Sequence, residues 1–262
     1  MNRPACFRHG VSYAYGLDTG RRRKANQDRV ICRPEEGFFA VADGMGGLPN
    51  GGEAAEMLER IVPVAVSRAV ETLPEGFSAQ LAGEALLQAL GGVSDCIYEK
   101  TSADGAIGFG STLCALWLVD SCAVCLSIGD SRAYYLPPGG ELTQLTNDHN
   151  MAGDMFRAGM LSAREAELHP ASSKLTRFMG MTPPAEPELF FKRVQAGDRL
   201  LLCSDGLYGM LDKSELTGLA GGGGEPEAIV AGMIDRANAR GGKDNISAIL
   251  IKITGGGEDV EQ

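Results

Sequence analysis

The chain has 262 residues, of which 44% are hydrophobic and 22% charged, and its formal net charge at pH 7 is −10. This length fits a single compact domain. An acidic surface argues against a nucleic-acid partner, and no apolar run reaches the ~18–20 residues that span a bilayer. We therefore expect a soluble, cytoplasmic, monomeric protein that binds neither nucleic acid nor membrane.

Apolar patterning predicts strands at the start of the chain and two helices after them. The strands fall at residues 11–16, 29–33 and 37–42. Helical spacing predicts a first helix over about 52–69, which Pro63 should kink or break, and a second over about 82–97. The remaining predicted elements are strands at 112–119, 122–127, 132–136 and 141–145, short helices within 150–182, strands at 189–194 and 199–203, helices at 211–220 and 225–239, and a strand at 246–253.

The arrangement of these elements predicts an α+β protein. Neighbouring strands are joined by short turns, which indicates antiparallel hairpins, and the helices come in groups between them. We expect a four-layer α-β-β-α sandwich with two antiparallel sheets and a helical flap inserted at about 150–182. One domain should cover residues 1–254, and residues 255–262 should form a disordered tail.

Aspartates that end apolar runs or lie in glycine turns are the strongest chemical signal. Asp43 follows the apolar run 38–42 and precedes Gly44. If several such carboxylates come within ~4 Å, each like-charge pair costs about 4 kcal/mol at an effective dielectric of 20. Divalent cations remove that cost, and a set of oxygen ligands favours Mg²⁺ or Mn²⁺ over Zn²⁺. The candidate acids are Asp28, Asp43, Asp130, Asp205 and Asp244.

Such a centre has a definite chemistry. Two metal ions would bridge a water, lower its pKa and neutralise a phosphoryl group during in-line attack. Gly44 would let a backbone carbonyl approach a metal, because glycine has no Cβ to clash. A guanidinium suits the phosphate oxygens, and Arg23 lies close before Asp28 in the chain.

Seven motifs spanning about residues 10–253 resemble, in order, those of the metal-dependent (type 2C, PPM) serine/threonine protein phosphatases of the bacterial type. They are RKANQD at 23–28, VADGMGG at 41–47, GSTL at 110–113, IGDSR at 128–132, LTNDH at 145–149, CSDGL at 203–207 and GGKDNIS at 241–247. Seven motifs in order are far more specific than any single match. The resemblance implies hydrolysis of phosphoserine and phosphothreonine in proteins by direct attack of a metal-bridging hydroxide on phosphorus. It also implies phosphoprotein substrates and a cognate serine/threonine kinase.

The resemblance also implies a role for each site residue. Asp43 would bridge two Mn²⁺ or Mg²⁺ ions, and the carbonyl of Gly44 would bind one of them. Asp205 and Asp244 would complete the shell of the first ion, and Asp130 would hold a third, weaker ion. The remaining two are catalytic roles: Asp28 would orient the metal-bound water and Arg23 would grip the substrate phosphate.

Two positions depart from the pattern of the family. Met45 stands where eukaryotic members have a histidine that is proposed as general acid, and methionine cannot donate a proton. Gln27 stands where many members have glutamate, so the second metal would bind more weakly. Neither change removes a direct metal ligand.

The sequence leaves two other classes of function open. A regulatory module could sequester phosphoproteins without turnover, and a turnover assay with Mn²⁺ would separate it from an enzyme. An acidic cation-binding protein without chemistry would bind metal but would not need Arg23.

Overall fold

The computed structural model describes residues 7, 9–45, 52–103 and 109–255. Two glycines of the second motif, Gly46 and Gly47, lie outside the described residues. So does the predicted tail beyond residue 255. No helix in these ranges is long and apolar enough to cross a membrane.

The described residues form eleven strands and seven α-helices. The strands are β1 (Gly10–Asp18), β2 (Asp28–Arg33), β3 (Phe38–Met45), β4 (Gly110–Ser111), β5 (Leu113–Val119), β6 (Cys122–Ile128), β7 (Arg132–Leu136), β8 (Thr143–Gln144), β9 (Glu188–Arg193), β10 (Arg199–Cys203) and β11 (Ile246–Thr254). The helices are α1 (Glu53–Thr72), α2 (Ala79–Ala103), α3 (Met151–Arg157), α4 (Ala163–Leu168), α5 (Asp205–Tyr208), α6 (Lys213–Ala220) and α7 (Pro226–Ala239).

The strands form two antiparallel sheets. One sheet has the order β1-β11-β10-β7-β8, and the other has the order β2-β3-β5-β6-β9 with the short β4 paired to β3. Strand β5 is buried along its whole length. Its continuous apolar run, which includes Trp117, suits a strand with one face toward the partner sheet and the other toward helices.

Three apolar cores account for the layers. Between the sheets, Phe39 and Leu116 of one sheet belong to the same buried cluster as Leu202 and Ile249 of the other. On the outer faces, α1 and α2 cover the sheet that contains β3, and α6 and α7 cover the sheet that contains β11. Each fully buried leucine or phenylalanine contributes roughly 1.5–3 kcal/mol by leaving water. The four-layer α-β-β-α sandwich is confirmed.

Some local details differ from what the sequence predicts. Helix α1 continues through Pro63 without ending, because Leu58, Val62 and Val66 on its buried face pack on the sheet on both sides of the proline. The strand predicted at 141–145 is reduced to the two residues of β8. Helix α5, which begins at Asp205, was not predicted, since four residues give no periodicity to read.

The insertion at 150–182 is helical, as predicted. It contains α3, α4 and a 3₁₀ turn at Pro170–Ser173. The chain enters it after β8, at the edge of one sheet, and leaves it into β9, at the edge of the other. The flap therefore connects the two sheets.

Candidate metal centre and active site

The topology brings the predicted acids to one end of the sandwich. Because paired strands are antiparallel, β3, β6 and β10 end where β2, β7 and β11 begin. Asp28 of β2 lies directly opposite Asp43 of β3 in the ladder. The other acids occupy the neighbouring strand connections: Asp130 between β6 and β7, Asp205 at the start of α5 and Asp244 just before β11.

Asp28 is the most deeply buried of these carboxylates, with 1% of its surface exposed. The hydroxyl of Ser204 donates to its Oδ2 over 2.7 Å, and the Ser204 hydroxyl in turn accepts from the backbone N–H of Ser247 at 3.0 Å. Burial raises the pKa of Asp28 to about 6, although the serine hydroxyls oppose that shift. Its Oδ1 has no hydrogen-bond partner among the described residues.

The backbone of Asp43 is held by Ser111 of β4 and by Thr112, which lies between β4 and β5. Its N–H donates to the hydroxyl of Thr112 at 3.0 Å, and its carbonyl accepts from the Thr112 N–H at 2.9 Å and from the Ser111 hydroxyl at 2.9 Å. The Thr112 hydroxyl also lies 2.6 Å from that of Ser131. Burial, and then the charge of Asp28, raises the pKa of Asp43 well above its usual range.

A close contact at Gly206 brings together the segments that carry Asp205 and Asp244. A Cβ on Gly206 would lie 1.8 Å from the carbonyl oxygen of Asn245, so only glycine lets α5 pack against the loop that carries Asp244. Burial and the charges of Asp130 and Asp244 raise the pKa of Asp205 well above its usual range. Its Oδ1 also lacks a hydrogen-bond partner among the described residues.

Arg23 provides a cation at this end of the molecule. Its Nη2 donates to Oδ2 of Asp244 at 2.6 Å, and that bond is the main cause that raises the pKa of Arg23. The charges of Asp43 and Asp205 raise it further. The Arg23 side chain is 49% exposed, so solvent and a substrate can reach the guanidinium.

Asp130 lies in the turn between β6 and β7 and is 8% exposed. Burial, and then the charge of Asp148, raises its pKa to about 7. The charge of Arg132 lowers this pKa but does not cancel the rise, because the guanidinium pairs directly with Asp148 at 2.6 Å.

The donor chemistry fits hard divalent cations. The candidate ligands are carboxylates that raise one another's pKa, and one buried oxygen each of Asp28 and Asp205 has no hydrogen-bond partner in the part of the chain that the structure describes. Within the described ranges, no three His, Cys, Asp or Glu side chains yet stand close enough to hold an ion together. Ligation would therefore involve movement of carboxylates that repel one another without a cation.

The raised pKa values predict how the metal-free protein responds to pH. Folded Asp28 and Asp130 titrate at about 6 and about 7, against roughly 3.9 for aspartate in an unfolded chain. Between about pH 4 and pH 7 the folded state therefore binds more protons than the unfolded state. The free energy of unfolding falls as pH rises through this range. We expect Asp130→Asn to raise the melting temperature in EDTA more at pH 7.5 than at pH 5.

Comparing the variant with the native protein isolates this effect from other titrations. Burial lowers the pKa of His149, and this makes the free energy of unfolding rise with pH below about pH 6.5. The effect of His149 is the same in the variant and in the native protein, so it cancels in the comparison. A difference in melting temperature that did not change with pH would contradict the prediction.

Two residues of the motifs and one of the flap have defined partners. Gly44 pairs with Ser111 across β3 and β4. His149 is fully buried, and its Nδ1 accepts from the N–H of Gly129, so it supports the base of the flap. Arg177 is bound to Glu188 at 3.2 Å.

Sequence reasoning assigned no role to Ser204 or Ser131. Ser204 joins Asp28 of one sheet to β11 of the other through its hydroxyl, and Ser131 contacts the threonine that clamps Asp43. A serine beside an aspartate is too common to indicate such contacts, which depend on strands distant in the sequence.

Comparison with known proteins identifies the family to which the chain belongs. The family described as protein phosphatase 2C matches residues 16–250. The chain is 32% identical to protein phosphatase PhpP of Streptococcus pneumoniae over 243 residues, which cover 90% of this chain and 95% of that protein. It is also similar to the serine/threonine phosphatase Stp1 from Staphylococcus aureus, with a TM-score of 0.84, 26% identity and coverage of 94% and 96% of the two chains.

A further similar structure is the catalytic domain of the serine/threonine protein phosphatase PstP in complex with two manganese ions. Its TM-score is 0.76 and its identity 28%, over 93% of this chain and 98% of that one. The motifs, the fold and these relatives agree, and the chain belongs to the protein phosphatase 2C family of Mn²⁺- or Mg²⁺-dependent serine/threonine phosphatases.

Proposed function

We propose that this protein removes the phosphoryl group from phosphoserine and phosphothreonine side chains of proteins at the end of the sandwich described above. The observation that carries this assignment is the convergence of acids from both sheets around the exposed guanidinium of Arg23. Asp43, Asp205, Asp244 and the carbonyl of Gly44 would hold two Mn²⁺ or Mg²⁺ ions, and Asp130 would hold a weaker third. When bound, such ions neutralise phosphoryl oxygens and supply a strong nucleophile at neutral pH.

The chain's own residues would orient the reaction. Ser204 holds one oxygen of Asp28, which leaves Oδ1 to accept a hydrogen bond from the attacking water and fix its direction. Arg23 can bind two phosphate oxygens with its guanidinium fork. Met45 has no proton to give, so the leaving alkoxide would take its proton from solvent in the site.

Hydrolysis of phosphopeptides tests this function. We expect the purified protein to release phosphate from phosphothreonine and phosphoserine peptides with Mn²⁺, and to lose this activity in EDTA. A phosphotyrosine peptide of the same sequence serves as the matched comparison and should be a poor substrate. Tight phosphopeptide binding without phosphate release would instead favour the sequestering module.

We further propose that residues 1–254 form one phosphatase domain that acts as a cytoplasmic monomer and reverses the work of a cognate serine/threonine kinase. The family match over residues 16–250 and the strands from Gly10 to Thr254 support the single domain. The net charge of −10 supports the monomer, because like-charged copies repel one another.

A further inference from the structure

A buried arginine ties together three elements beside Asp130. Nε and Nη2 of Arg132 donate to the two carboxylate oxygens of Asp148 at 2.9 Å and 2.6 Å. Its Nη1 donates to the hydroxyl of Tyr134 at 3.1 Å, and its Cζ lies 3.7 Å from the ring centroid of Tyr208. The Arg132 side chain is only 10% exposed, and its planar fork therefore has little freedom to move.

Each contact of this guanidinium comes from a different part of the fold. Asp148 belongs to the segment that leads into the flap, Tyr134 lies in β7, and Tyr208 is the last residue of α5. A bidentate arginine–carboxylate pair fixes orientation as well as distance, and stacking on the guanidinium holds the tyrosine ring against its face. Arg132 thus sets the position of the Tyr208 ring.

The Tyr208 hydroxyl reaches the backbone of a candidate metal ligand. It donates to the carbonyl oxygen of Asp130 at 2.9 Å. Helix α5 begins at Asp205 and ends at Tyr208. The same short helix therefore carries Asp205 and bonds to the turn that carries Asp130.

The turn that carries Asp130 is also tightly packed on its other side. Gly129 has φ +101°, and a Cβ there would lie 2.6 Å from the side chain of Thr112. The turn is therefore packed against Thr112 on one side and held by Tyr208 from α5. Few other positions of the Asp130 backbone are compatible with both contacts.

We propose that Tyr208 is a positioning residue for the metal centre, holding Asp130 at a fixed place relative to Asp205 through its hydroxyl. This inference rests on the proposed metal roles of Asp130 and Asp205. Partners that orient a metal ligand from behind typically contribute 10–100-fold to metal affinity. Asp148 and Arg132 extend the same chain of contacts from the metal centre to the base of the flap.

Two phenylalanine substitutions test the proposal with matched chemistry. Tyr208→Phe removes the bond to Asp130 but keeps the ring on Arg132, whereas Tyr134→Phe removes a hydroxyl that contacts Arg132 and does not reach Asp130. Mn²⁺ binding by isothermal titration calorimetry, and the melting temperature in EDTA, would be measured for both variants, for Asp130→Asn and for the native protein.

We expect Tyr208→Phe to weaken the weakest Mn²⁺ site by about tenfold, Asp130→Asn to abolish that site, and Tyr134→Phe to leave it unchanged. The melting temperatures in EDTA show whether each variant is folded at the temperature of the titration. Should Tyr208→Phe melt below that temperature, the titration would be repeated at a lower temperature at which both variants are folded.

Two results would overturn the role of Tyr208 while leaving the metal assignment intact, provided that Asp130→Asn still loses a site. One is that Tyr208→Phe binds Mn²⁺ as tightly as the native protein does. The other is that both tyrosine variants bind Mn²⁺ equally weakly. Failure of the metal assignment itself would look different. If the native protein bound no Mn²⁺, the proposed function and this proposal would both fall. If Asp130→Asn bound Mn²⁺ normally, the metal role of Asp130 and this proposal would fall, and the assignment of the other two ions would stand.

Discussion

Asp43→Asn is expected to lower Mn²⁺-dependent hydrolysis of p-nitrophenyl phosphate by about 1000-fold, which corresponds to about 4 kcal/mol of lost transition-state stabilisation. The amide keeps the size of the side chain but removes the charge proposed to bridge two ions. Initial rates over a range of Mn²⁺ concentrations would measure the loss. Activity within tenfold of the native protein at saturating Mn²⁺ would refute the assignment of Asp43.

The same substitution should affect stability in the opposite direction. In the metal-free protein, burial and neighbouring carboxylates raise the pKa of Asp43, so its ionised form destabilises the fold. We therefore expect Asp43→Asn to melt at a higher temperature than the native protein in EDTA at pH 7.5. Asp235→Asn, at an exposed position of α7, is the matched control and should change neither activity nor melting temperature.

Arg23→Ala should lower kcat/KM for a phosphothreonine peptide by about 100-fold. A charge-assisted hydrogen bond contributes about 1.5–3 kcal/mol, and about 1.4 kcal/mol corresponds to a factor of ten. Arg23→Lys keeps the charge but loses the fork, so its kcat/KM should fall between those of the alanine variant and the native protein. Steady-state kinetics at saturating Mn²⁺ would measure all three proteins.

The Mn²⁺ affinity of Arg23→Ala is a second measurement on the same variant. Arg23 pairs with Asp244, so removing the guanidinium leaves that carboxylate free for a cation. Mn²⁺ affinity should therefore be unchanged or tighter in Arg23→Ala while activity falls. Arg22→Ala, an exposed neighbour in the same basic run, is the control and should retain activity.

The two readouts of Arg23→Ala separate the classes of function that the sequence left open. A protein that only binds cations would have no phosphatase activity for the Arg23 substitution to lower. If both activity and metal affinity fell together, Arg23 would be part of the metal site's structure, and the phosphate-binding role would be wrong.

Much of the fold could be predicted because its signals are local. The apolar run at 112–119 predicts the strand β5, and the short link at Asp120–Ser121 predicts its antiparallel hairpin with β6. Helix α1 shows the limit of local signals. Pro63 argues for a break, but packing of Leu58 and Val66 against the sheet holds the helix together on both sides.

The sequence by itself determined which residues are candidates for the proposed chemistry. Acids at strand ends and glycine turns, with an arginine ahead of Asp28, could be identified from residue type and spacing alone. Only the tertiary structure decided how those residues are held: Ser204 against Asp28, Thr112 against Asp43 and Tyr208 against Asp130. The physical reason is that each of these bonds joins segments far apart in the chain, so no local pattern encodes it, and it forms only when the antiparallel sheets bring their strand ends together.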